Sequence, residues 1–110
     1  MQEQAIIIKT TTDQKEVADK ISKVLLEAKK VACVQISEVE SQFHWKGKIE
    51  SCREYIITVK TRLSLSNAVF TLIKKYHNYD VAEILQFNIN EIDPMYLDWL
   101  IQETEPQIPN

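Results

Sequence analysis

The sequence predicts an α+β domain: one sheet carrying two amphipathic helices, in the order β-α-β-β-α-β, with a short helix after the last strand. Three observations support it. Gly47, the only glycine in 110 residues, sits between two runs rich in strand-forming side chains. Two other segments place apolar residues at helical spacing. A short continuous apolar run, Ala5-Ile6-Ile7-Ile8, suits a central strand buried on both faces.

After that opening strand, residues from about Asp13 to Lys29 set Val17, Ile21, Val24, Leu25 and Ala28 on one helical face. Thr12 or Asp13 is available as the cap, and Lys29-Lys30 falls near the negative end of the helix dipole. Next comes a stretch from Val31 to Thr61 that lacks proline and turns once, at Lys46-Gly47. Each arm of this hairpin is about fourteen residues, whereas an ordinary strand runs roughly 5–6. A small domain can cover only part of such a ribbon, so its tip, with Phe43 and Trp45, is expected to project as an apolar patch covered by another copy of the chain.

A two-residue turn also fixes the register: Trp45 faces Lys48, Ser41 faces Cys52 and Cys33 faces Lys60. The two cysteines are then roughly 27 Å apart along the ribbon at ~3.4 Å per residue, too far for a disulfide. Free thiols agree with a reducing compartment. Ala32, Val34 and Ile36 share one face with Tyr55, Ile57 and Val59, apolar enough to lie under the helices. The other face mixes Cys33, Gln35, Val39, Phe43 and Trp45 with Glu54, Ile56, Thr58 and Lys60, a composition suited to a contact between subunits.

Beyond the hairpin, Ser64 or Ser66 can cap a second helix whose stripe is Leu65, Ala68, Val69, Leu72, Ile73 and Tyr76. The segment from Tyr79 to Glu91 mostly alternates, with Ile84, Leu85, Phe87 and Ile89 among polar residues, and reads as a fourth strand. Asp93 followed by Pro94 is a cap and a first-turn proline, opening a short helix with Leu97, Leu100 and Ile101 inward. This order is the ferredoxin-like split βαβ arrangement, a single domain over 1–110 with a frayed tail from about 105.

Composition narrows the function classes. A hydrophobic content of 45% with 26% charged residues is that of a globular domain able to bury a core. Net charge is −3 and no basic run is present, so nucleic acid is not an expected partner. The N-terminus is polar before a four-residue apolar run, which reads as neither signal peptide nor membrane span, and cytoplasm is the expected compartment.

With the elements placed, several stretches resemble the CutA divalent-cation tolerance family: Ala32-Cys33-Val34, Trp45-Lys46-Gly47-Lys48-Ile49, Glu54, Lys60-Thr61, His77, Tyr79, Glu83-Ile84 and Tyr96-Leu97-Asp98-Trp99-Leu100. The resemblance spans almost the whole chain. It implies a homotrimer of ferredoxin-like subunits similar in build to PII-type signalling proteins, a link to copper and other divalent metals, and no established reaction. Where many members carry cysteine this chain has Lys9 and Leu72, and where prolines are common it has Asn78 and Ala82.

The chemistry of the residues sets expectations beside that resemblance. Copper and zinc favour thiolate and imidazole, and the chain has two cysteines and two histidines without a CxxC, HxH or HExxH spacing. Cys33 reads as a small packing residue or, with Lys60 opposite lowering its pKa, as a reactive or metal-binding thiol. His77 reads as a protonated imidazole at a helix end or as a second metal ligand. Glu54, Lys60 and Glu83 read as ion pairs at a subunit boundary or, with Tyr79, as the lining of an intersubunit cleft for a small anionic ligand or a metal complex. Phe43, Trp45 and Trp99 are the expected trimer-interface anchors. No cofactor is obligatory, and copper or another divalent cation is the candidate ligand. A PII-like regulator that binds a small anionic metabolite is the second reading. A hydrolase or transferase using Glu54, Lys60 and Glu83 is the third, weakened by the lack of a nucleophile and base at a recognisable spacing.

Overall fold

A computed structural model describes residues 3–104. The chain runs β1 (Ala5–Thr12), α1 (Lys15–Glu27), β2 (Cys33–Trp45), β3 (Lys48–Arg62), a 3₁₀ turn (Leu63–Leu65), α2 (Ser66–Tyr76), β4 (Ile84–Asn88) and α3 (Pro94–Gln102). The strands form one antiparallel sheet in the order β2-β3-β1-β4. The expected frayed end lies outside the described residues.

Alternation along β1 decides the layering. Ile6 and Ile8 are fully buried on the face that carries both long helices, where they pack with Ile57 and Val59 of β3, Ala18, Ile21 and Leu25 of α1, and Val69 and Ile73 of α2. Each large aliphatic side chain buried there contributes roughly 1.5–3 kcal/mol. α3 covers one end of the opposite face, where Leu97 and Leu100 close over Ala5. Ala32 joins that second cluster rather than the helix-facing one expected from its parity, because β2 begins only at Cys33.

The hairpin has the expected register, with Trp45 opposite Lys48, Ser41 opposite Cys52 and Cys33 opposite Lys60. Its arms are 13 and 15 residues long. Lys46 and Gly47 both take positive φ, 50° and 79°, the combination that lets a two-residue turn follow the twist of the strands. Every residue from 42 to 51 is exposed. The protruding ribbon stretches the molecule to 47 × 27 × 20 Å with a radius of gyration of 15.0 Å, against about 13 Å for a compact chain of this length.

Three boundaries differ from expectation. α1 starts at Lys15 behind Gln14, without a side-chain cap; Thr12 instead accepts from the Gln14 amide at 3.2 Å, which ties the strand end to the helix start. α2 has Leu65 at its cap position, because the Ser64 hydroxyl is drawn to Glu3 and that of Ser66 to Gln86. β4 is only five residues, Ile84–Asn88, since only these pair with β1. At α3 the expected cap is present: the Asp93 carboxylate accepts from the amides of Met95 at 3.0 Å and Tyr96 at 3.2 Å.

α1 ends in a left-handed residue, Lys29, with φ 57°, while the amides of Lys29 and Lys30 reach back to Leu26 and Leu25. This is the hydrogen-bond pattern of a Schellman turn, whose left-handed position ordinarily belongs to glycine. Lys29→Gly is therefore expected to stabilise the fold by about 1 kcal/mol by removing the Cβ strain. Urea denaturation checks it, and an unchanged midpoint contradicts it.

Candidate functional site

β1 turns polar exactly where α2 comes back to it, and that change positions the site. Thr10, Thr11 and Thr12 are buried, and they anchor the segment after α2. The Thr12 hydroxyl donates to Asn78 Oδ1 at 2.6 Å, and Asn78 Nδ2 donates to Asp13 at 2.9 Å. His77 follows α2 directly and locks the same junction. Its Nδ1 accepts the Tyr79 amide at 3.1 Å, so Nε2 carries the proton and donates to the Thr11 carbonyl at 2.8 Å, with Thr10 Oγ1 at 3.2 Å. Burial holds the imidazole below its ordinary pKa, against the opposing pull of the Thr11 carbonyl, Asp13 and Glu54.

Tyr79 completes the chain of contacts. Its ring lies 5.1 Å from that of His77, and its hydroxyl donates to Glu54 Oε2 at 2.7 Å. Desolvation first, then the bond to Glu54, push the phenol well above its usual pKa, so it remains a donor. Glu54 is only 6% exposed although it stands on β3 in the projecting hairpin.

These contacts form the floor of a cleft of about 760 Å³ between the outer hairpin and the 78–83 segment. Among the described residues, five carboxylates line it, from Asp13, Glu50, Glu54, Asp80 and Glu83, and no lysine or arginine does. Phe43, Trp45 and Tyr79 supply aromatic wall. Cys52 also lines it, and desolvation together with Glu54, Asp13 and Glu50 raises its pKa, which keeps it a thiol rather than a thiolate.

Of the residues expected at a ligand cleft, Glu54, Tyr79 and Glu83 come together and Lys60 does not. Lys60 lies six residues along β3 from Glu54, about 20 Å at ~3.4 Å per residue, and its ammonium sits 5.8 Å above the Tyr96 ring. Within one subunit the acidic lining lends no support to a small anionic ligand. It also leaves the grouping of Glu54, Lys60 and Glu83 unassembled. Cys33 and His77 are likewise apart: Cys33 is level with Lys60 and Ile7, whereas His77 binds at Thr11, four residues further along β1. Both ring nitrogens of His77 are engaged, so the imidazole is neither a charged helix cap nor open to a ligand in this conformation. Among the described residues, no three His, Cys, Asp or Glu side chains converge as a metal site.

The expected interface anchors are exposed: Phe43 by 40%, Trp45 by 49% and Trp99 by 40%. Lys46 stands 5.7 Å from the Trp45 ring, and Trp99 packs against Tyr96 at 5.3 Å between centroids. Leu85 and Phe87 of β4, paired with Lys9 and Ile7, extend the apolar surface on the face away from α1 and α2. Asp13, Asn78 and Cys52 were named in the sequence in other roles but not as residues of the site. The register did hold a signal for Cys52, two residues from Glu54 on the same face; the contacts of Asp13 and Asn78 span 65 residues and left none.

Among the described residues no helix is long and apolar enough to cross a membrane. Residues 6–103 match the family of the CutA1 divalent ion tolerance protein. The divalent-cation tolerance protein CutA of Pyrococcus horikoshii is 37% identical over 100 residues, covering 91% of this chain and 98% of that one. Protein CutA of Mus musculus is 35% identical over 96 residues, but the match spans only 54% of its length. The crystal structure of CutA1 from Oryza sativa superposes with a TM-score of 0.91 at 31% identity, covering 96% of this chain and 98% of the other. A fold and a sequence match that agree over nearly every described residue leave one assignment: the chain belongs to the CutA1 divalent ion tolerance family.

Proposed function

We propose that the protein is a non-enzymatic, cytoplasmic homotrimer of ferredoxin-like subunits that serves in divalent metal-ion tolerance and binds copper weakly. The observation that carries this reading is the cleft, whose five carboxylates and lack of any lysine or arginine among the described residues favour cations over anions. The family assignment supplies the divalent ion. Weak copper binding accords with soft ligands that are few and dispersed: two thiols and two imidazoles, with no convergent group among the described residues. The trimer accords with the exposed ribbon tip and with Trp99 and Phe87 on the face that α1 and α2 leave open. A PII-like regulator for a small anion draws no support from a cleft lined by acids.

Copper titration by calorimetry tests the metal role, comparing wild type with Glu54→Gln in the cleft and with Cys33→Ser outside it. Saturable binding that weakens several-fold in Glu54→Gln is expected. Equal affinity in Cys33→Ser removes that thiol from the site, and the absence of binding in the wild type overturns the copper reading.

A further inference from the structure

We infer that Lys9 and Lys60 of one copy of the chain dock against the carboxylates of the next copy's acidic cleft, so that each contact in the assembly is basic on one side and acidic on the other. This rests on the trimer reading and not on copper. Its starting point is a pair of unmatched charges on the sheet face that α1 and α2 leave open. One row across that face runs Cys33, Lys60, Ile7 and Phe87, and the next runs Gln35, Thr58, Lys9 and Leu85. Lys9 and Lys60 are therefore diagonal neighbours, roughly 7–8 Å apart. Neither row holds an acid, and among the described residues neither lysine forms an ion pair.

The surroundings make these charges unfavourable to cover without a partner. Leu85, Phe87, Tyr96 and Trp99 stand 36–47% exposed on the same side, an apolar surface suited to a second copy. Both lysines are already half-buried, and a copy laid over them strips the remaining water from two ammonium groups, which is unfavourable unless carboxylates replace it. The covering surface must be apolar and acidic at once. The cleft is such a surface: Phe43 and Trp45 supply exposed rings, and Glu50, Asp80 and Glu83 supply exposed carboxylates. One subunit cannot satisfy itself in this way, because its own Glu54 lies about 20 Å along β3 from Lys60 at ~3.4 Å per residue. Unlike surfaces that meet head to tail close into a ring where the rotation allows it.

Sedimentation of charge-reversed chains tests the pairing. Lys9→Glu with Lys60→Glu is expected to raise the concentration at which the assembly dissociates by about tenfold or more. Adding Glu50→Lys and Glu83→Lys to the same chain is expected to restore most of that loss. Lys23→Glu, exposed on α1, is expected to change nothing. Should the reversed pair fold poorly by circular dichroism, Lys9→Glu alone, which leaves the contact of Lys60 with Tyr96 in place, is expected to give a several-fold effect. Reversed lysines that leave the trimer as stable as before overturn the pairing and spare the trimer reading, as does a loss that the reversed acids fail to restore. A wild type that is a single chain at every concentration overturns both.

Discussion

Trp45→Ala is expected to convert an assembly of three chains into single chains, as read by light scattering at micromolar concentration. Trp45 stands at the end of a ribbon whose residues 42–51 are all exposed, with its own ring 49% open to solvent. Within one subunit it lies outside the buried core and has the Lys46 ammonium 5.7 Å from its ring, so truncation should leave the fold of the chain intact. Large aromatic anchors in interfaces cost 2 kcal/mol or more when cut to alanine, and symmetry repeats that loss at each of three contacts. A variant that keeps the wild-type mass, with wild-type circular dichroism, would take Trp45 out of the interface.

The second large effect concerns His77. His77→Gln removes an imidazole that accepts from the Tyr79 amide and donates to the Thr11 carbonyl, and losing two partly buried hydrogen bonds is expected to cost about 1–3 kcal/mol at pH 7.5. The folded pKa of His77 lies below the unfolded one. The unfolded chain therefore takes up a proton near pH 6.5 while the folded one resists. The wild type holds this stability fully above about pH 6.5 and loses it as pH falls from there toward the folded value. Denaturant midpoints of wild type and variant should thus converge between pH 7.5 and 5. A gap that stays constant or widens in acid contradicts the account.

Features set by local chemistry were legible in the sequence. A lone glycine between two strand-forming runs announced the hairpin, and its two-residue turn gave the register of Cys33 with Lys60 and Ser41 with Cys52 correctly. The Leu65, Val69 and Ile73 stripe faced the core as its spacing required, and Asp93-Pro94 opened α3. Features set by distant partners were not. Thr12 and Asp13 looked like helix caps, but Asn78 claims both from 65 or more residues away, and the helix begins later. His77 looked like a charged helix end because nothing in its neighbourhood announced the Thr11 carbonyl.

The site was legible in part for the same reason. Glu54, Tyr79 and Glu83 were read together and line one cleft, whereas Lys60 was grouped with them although simple strand arithmetic places it about 20 Å from Glu54. The acidity of the cleft was the less legible part. It emerges only when Asp13 from β1, Glu50 from the hairpin and Asp80 from the 78–83 segment are brought to one place, and no single stretch of sequence is acidic enough to reveal it.

Everything proposed for assembly and for the cleft depends on a hairpin that its own subunit leaves uncovered. Sedimentation of the wild-type protein over a dilution series addresses this most directly. The account predicts a particle of three chains, each 12.8 kDa, that persists to low micromolar concentration. A stable 12.8 kDa species at every concentration, folded and showing no self-association, would contradict it.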